Sequence, residues 1–150
     1  MQLATGRPLV IRGDGILCVP TAAASGCDPA NSGSTWADAA WDEITSGLSA
    51  DIYILGAGWR GSSNSTASEW EMDIGVGAAA SEVVVQTILG ECASSDQLPD
   101  MWWAEGQEIV RVPASTRIAA RLRTANGTAN ACRPADVKLI YCKCVDLGPL

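Results

Sequence analysis

The chain has 150 residues, 47% of them hydrophobic and 18% charged, with 15 glycines and 7 prolines, six cysteines, no histidine and a net charge of −7. A chain of this length forms one domain and buries about 70% of the surface its unfolded form exposes, and the composition excludes disorder and collagen. With a pI near 4.4 it lacks the basic face that gains from counterion release, which argues against DNA or RNA as a direct partner.

In chain order, residues 1–8 read as a short N-terminal arm. They have no basic start followed by an apolar stretch, so the expectation is no secretory signal and synthesis in the cytoplasm. Leu9 to Arg12 and Gly15 to Val19 are predicted short strands, with Arg12-Gly13-Asp14 as a turn. Ser34 to Leu48 is ambiguous: Trp36, Ala40, Ile44 and Leu48 recur at helical spacing behind a cap at Ser34 or Thr35, yet Trp41 to Thr45 also fits a strand. The strand is the preferred reading. Asp51 to Leu55 is a predicted strand and Gly56 to Ser68 a loop.

Glu69 to Val76 alternates without exception, Trp70, Met72, Ile74 and Val76 on one face and Glu69, Glu71 and Asp73 on the other, the pattern of a half-buried strand. Gly75 to Ala80 superficially matches a dinucleotide-binding fingerprint, but strand-forming Glu82 to Leu89 follows where a helix is required, so it reads as a bend. Cys92 to Asp100 is a predicted loop and Glu108 to Val112 a strand, turned through Pro113. Arg117 to Arg123 points Ile118, Ala120 and Leu122 inward and its arginines outward. Thr124 to Asp136 reads as a loop, Val137 to Cys144 as a strand and residues 146–150 as a tail. Both glycosylation-type sequons, at Asn64 and Asn126, fall in predicted loops. About eight short strands without helices between them predict a single antiparallel β-sandwich, jelly-roll-like. No segment reaches the roughly 18 apolar residues of a membrane helix.

The absence of histidine removes the commonest general base and the commonest metal ligand together. Lys138 and Lys143 are the only lysines that could serve a nucleophile, and both sit on an alternating strand. Glu69, Glu71 and Asp73 could form a glycosidase or cation site, but alternation already accounts for them as a solvated face. Cys142-Lys143-Cys144 puts two sulfurs on one face without the further spaced ligands that zinc requires. The expectation is therefore no catalytic residues, no cofactor, no metal and no enzymatic activity. Cys18, Cys27, Cys92, Cys132, Cys142 and Cys144 are either small buried thiols or disulfide partners formed outside the cell, their pairing open.

Six tryptophans against no phenylalanine point to interface anchoring first and sugar stacking second. Trp70 belongs to the core by its alternation; Trp59, Trp102 and Trp103 are the interface candidates. Seven of the ten basic residues, Arg111, Arg117, Arg121, Arg123, Arg133, Lys138 and Lys143, fall in the last forty positions. This asymmetry makes Arg117, Arg121 and Arg123 candidates for meeting the acidic face of a neighbour.

Residues Trp70 to Val85, with Ile74-Gly75-Val76-Gly77 and Ser81-Glu82, resemble the "IGVGxxGSE" stretch of small tailed-bacteriophage virion proteins, and Ile109 to Arg121 is similar to their "P-I-x-I-P-A-G-T-R-I-A-A-R" stretch. Trp41 to Thr45 resembles their early tryptophan strand, and the resemblance extends over roughly residues 34 to 145. Ala80 and Ser115 stand where the pattern has glycine, so a positive φ at either position would demand a different local turn. The resemblance implies a β-sandwich decoration or cement protein on the capsid exterior of the virion, made in the host cytoplasm. It would be a homotrimer bridging major capsid protein subunits, without membrane contact. A rival expectation is a tail, baseplate or fibre module binding host glycans through Trp59, Trp102 or Trp103. A more distant one is a carbohydrate-active enzyme using Glu69, Glu71 or Asp73.

Overall fold

The computed structural model describes residues 16–21, 26–61, 68–92, 101–103, 109–127 and 134–143. Among them are nine strands and no helix: β1 (Leu17–Val19), β2 (Asp42–Thr45), β3 (Ile52–Gly61), β4 (Ser68–Val76), β5 (Val83–Cys92), β6 (Met101–Trp103), β7 (Val110–Val112), β8 (Ile118–Thr124) and β9 (Pro134–Lys143). One sheet runs β1-β9-β3 and ends in β6 and β7; the other runs β2-β8-β4-β5. Every pairing is antiparallel.

β6 pairs with Gly56 to Gly58 and β7 with Ile52 to Ile54, so the two are successive pieces of a single edge strand along β3. Counting them as one leaves eight strands from nine, paired first with last, second with seventh, third with sixth and fourth with fifth. Rolling up one long antiparallel hairpin, with its tip between β4 and β5, produces this order. The sandwich is a jelly roll.

The two sheets share one core. Ile44, Trp70, Met72, Ile74, Ile88, Ile118, Ala120 and Leu122 face it from one side, and Ile52, Ile54, Ala57, Trp59, Val112, Val137, Leu139 and Tyr141 from the other. The alternation of β4 and β8 is thereby accounted for, since period-two apolar residues occupy one face.

β3 departs from expectation. Its register with β9 shifts between Ile54 and Gly56, and the inward set changes from Ile52 and Ile54 to Ala57 and Trp59. A bulge that reverses phase breaks the period-two signal while the strand continues. The loop predicted from Gly56 is therefore strand to Gly61. β6 is likewise strand where only a post-loop position was expected.

Residues 34–41 form no helix. Trp36 takes φ +54°, and the amides of Trp36 and Ala39 donate to Thr124 and Leu122 carbonyls at 2.8 and 3.3 Å. This stretch thus runs along β8 as an irregular extension of β2. The predicted strand Leu9 to Arg12, the arm and the tail lie outside the described residues.

Ala80 and Ser115 have φ of +63° and +61°. The expectation that a positive φ would need another turn is corrected: both residues accept the left-handed region, at a cost of about 1 kcal/mol each relative to an unstrained conformation. Hydrogen bonds hold each turn. Ser81 donates to Ala78 O at 2.9 Å and Ser115 to Leu48 O at 2.7 Å. Gly47, at φ +142°, packs so closely that a Cβ there would lie 2.7 Å from the Ser115 carbonyl carbon.

Candidate binding surface

The outer face of the four-stranded sheet collects most of the charge chemistry. β8 lies between β2 and β4, so the arginines of the basic C-terminal third fold in among carboxylates from the acidic first two thirds. Arg121 and Arg123 stand directly opposite Asp73 and Glu71. Arg121 Nε is 2.9 Å from Asp73 and its Nη1 2.7 Å from Asp38. Arg123 reaches Glu71 at 2.8 Å, Asp73 at 3.4 Å and Asp38 at 3.6 Å. Arg117 pairs with Glu43 at 2.8 Å and with the buried carboxylate of Glu82. Its guanidinium is held above its ordinary value chiefly by the Glu43 hydrogen bond, partly opposed by desolvation, with Glu82 adding to the rise.

Asp73, only 2% exposed, is the hub of this lattice and also accepts a 2.6 Å hydrogen bond from Thr87. Trp41 lies beside it. Its ring covers Gly75, where a Cβ would come within 2.5 Å of the indole, and Arg121 stacks over that ring at 4.7 Å. Arg117, Arg121 and Arg123 are therefore engaged within their own chain, a correction to their candidacy as charges held ready for a neighbour. The asymmetry along the sequence is cancelled in space.

The same face is different at its other end. A groove of about 430 Å³ is lined by Trp36, Glu69, Trp70, Glu71, Leu89, Gly90 and Glu91. Trp36 is 42% exposed and Leu89 71%. The loop carrying Trp36 is fixed from below: Asn31 donates to Thr124 Oγ1 at 2.6 Å and to Asn126 O at 3.1 Å, while its own Oδ1 accepts from Gly33 N at 3.0 Å. Glu69 and Glu91 are exposed and directly opposite each other across β4 and β5. Neither makes an ion pair among the described residues. Beneath them Trp70 lies against Gly90, where any Cβ would collide with the indole. Composition alone did not single out Trp36 or Glu91: Glu91 gains its place through cross-strand register, and Trp36 through the hydrogen bonds that fix its loop.

Farther along β5, Val83 and Val84 are 66% and 40% exposed. Among the described residues β5 has no strand beyond it. It is a ten-residue open edge bearing apolar side chains, the kind of edge that invites a partner.

Trp59 does not join any surface. It is 6% exposed and packs edge-to-face on Trp70, centroids 5.7 Å apart at 83°. The bulge in β3 turns it inward, correcting its assignment as an interface and sugar-binding candidate. Trp102 and Trp103 lie on the edge piece β6, with side chains outside the described residues. Among the disulfide candidates, Cys18 and Cys27 are free thiols. Cys27 is 5% exposed in the core, and burial, followed by the Asp42 and Asp28 carboxylates, pushes its thiol well above the ordinary 9.0. Such a thiol is a small hydrophobe rather than a nucleophile. Cys142 is buried on the outer side of β9 with Leu55 and Ile140. The Cys92 side chain, Cys132 and Cys144 lie outside the described residues.

As chemistry, the Asp73 end is closed. Its carboxylate oxygens are occupied by Thr87, Arg121 and Arg123, and Glu71 is tied to Arg123. The groove end is open, with two carboxylates and an indole presented to solvent. Comparison with protein-family models, with curated proteins and with solved structures finds no match to this chain in any of the three.

Proposed function

We propose that the protein is a structural protein of a tailed-bacteriophage virion, a decoration or cement protein on the capsid exterior that bridges and stabilises major capsid protein subunits. The observation that carries this reading is the β5 edge, unpaired among the described residues, with Val83, Val84 and Leu89 exposed on a sandwich whose Arg117, Arg121 and Arg123 are paired internally. A rigid jelly roll with one apolar edge suits attachment in many copies, where individually weak contacts gain through multivalency. The resemblance of residues 70–85 and 109–121 to virion proteins supports the same role, and the net charge of −7 disfavours adhesion to packaged DNA. The reading includes a homotrimer and no enzymatic activity.

The test is cryo-electron microscopy of the particle that carries the protein, preceded by light scattering of the purified chain. Regular density on the head lattice and a trimeric mass are expected. A stable monomer that does not sediment with expanded capsids would overturn the proposal. Density on the tail would favour the second reading, a glycan-binding tail or fibre module, for which the exposed indole of Trp36 beside Glu69 and Glu91 is the supporting observation.

A further inference from the structure

The outer face of the four-stranded sheet carries one set of groups twice. In the first, an indole and two carboxylates surround a cation of the chain itself: Arg121 lies 4.7 Å over Trp41, 2.9 Å from Asp73 and 2.7 Å from Asp38. In the second, an indole and two carboxylates surround open space. Trp36, Glu69 and Glu91 line the groove, and no cation among the described residues pairs with either glutamate.

We infer that this groove is a receptor site for an arginine side chain carried by an extended segment of a partner protein. Directly opposed like charges on neighbouring strands repel each other, and a guest cation between them relieves that repulsion. Arginine fits better than lysine because its planar guanidinium can stack on an indole and fork toward carboxylates at once. Leu89, 71% exposed, offers an apolar surface for the methylene stem.

A second feature points to a peptide rather than a free cation. A peptide brings backbone amides and carbonyls along with its cation, and the edge of β5 beside the groove, unpaired among the described residues, accepts an added strand. The site does not depend on the particle reading: a basic peptide binds it in solution whatever the larger assembly.

The probe is the capped tripeptide acetyl-Val-Arg-Val-amide, titrated into the full chain by calorimetry or two-dimensional NMR at low salt. Its citrulline counterpart, nearly isosteric and uncharged, is run beside it. Saturable binding that weakens with added salt is expected, and citrulline should lose roughly tenfold in affinity. The double variant Glu69→Gln/Glu91→Gln should lose a comparable factor, and Trp36→Ala about threefold. All three positions are on the surface, and an unchanged melting temperature verifies the fold of each variant. Equal binding of the arginine and citrulline peptides would overturn the inference. So would undiminished binding by the double glutamine variant, absence of saturation, or preference for a neutral oligosaccharide such as chitotriose over the arginine peptide.

Discussion

Glu69 and Asp73 project from the same face of β4, two pleats apart, and their surroundings are opposite. Asp73 is 2% exposed and held by two arginines and a threonine, whereas Glu69 is exposed and faces Glu91. Glu71 between them is intermediate, with Arg123 opposite. The difference comes from the neighbouring strands. β8 supplies Arg121 and Arg123 to one end of β4 and stops at Thr124, before it can supply anything to Glu69 except the backbone amide of Ala125. A strand's own alternation fixes which side a residue occupies; only its neighbours fix whether that side is closed or open.

The sharpest way to break this contrast is to remove its hub. Asp73→Ala removes the buried carboxylate that Arg121 and Arg123 share and should cost about 3 kcal/mol in denaturant unfolding, as breaking a buried pair does. Gly90→Ala probes the floor of the open end: the new methyl meets the Trp70 ring, and a loss of about 2 kcal/mol is expected. At the β4–β5 turn, Ala80→Gly should instead stabilise, by about 0.5 kcal/mol, because glycine relieves the positive φ but gives back part of the gain as chain entropy. Ser115→Gly should behave alike. Glu69→Gln carries the same chemical change as the neutralisation of Asp73 but should raise stability by a few tenths of a kcal/mol, because it removes a repulsion rather than an attraction. A loss of stability in Glu69→Gln would show that the open end is not open.

Asp51 supplies the reference for an exposed carboxylate that is nevertheless paired. Its pKa is lowered from 3.8, first by the Ala114 amide and then by Arg111. A depressed folded value means that its contribution is complete above 3.8 and is lost as the pH falls through the lower folded value. Asp51→Asn should therefore flatten the acid limb of the stability curve and leave its shape at neutral pH unchanged. Parent and variant should converge at the acid extreme.

The sheet's skeleton was readable wherever one face alone is buried. β4 and β8 follow their alternation closely, with Met72, Ile74, Ile118, Ala120 and Leu122 at 0–1% exposure. What escaped reading has identifiable physical causes. The β3 bulge inverts phase at Leu55, so Trp59 looked like a loop residue when it is core. β6 has three residues, too few to carry a period. The candidate site was less legible still. Trp36 acquires its position from a left-handed φ and from Asn31 bonding across to Thr124, 93 residues away in sequence. Glu91 acquires meaning only from standing opposite Glu69. The charge asymmetry of the chain pointed outward to a neighbour, when the rolled topology had already brought the two halves together.

That rolled topology also sets the order in which the molecule can be made. β9 is an interior strand between β1 and β3, and Leu17 pairs with Tyr141, 141 − 17 = 124 residues further on. The sheet cannot close around its centre until the C-terminal strand has left the ribosome. Pairings of such long range place folding in the slow regime of about milliseconds to seconds. Until then the ten-residue apolar edge of β3 that β9 covers is without its partner, and a chain ending before Pro134 would lack a central strand rather than a peripheral one.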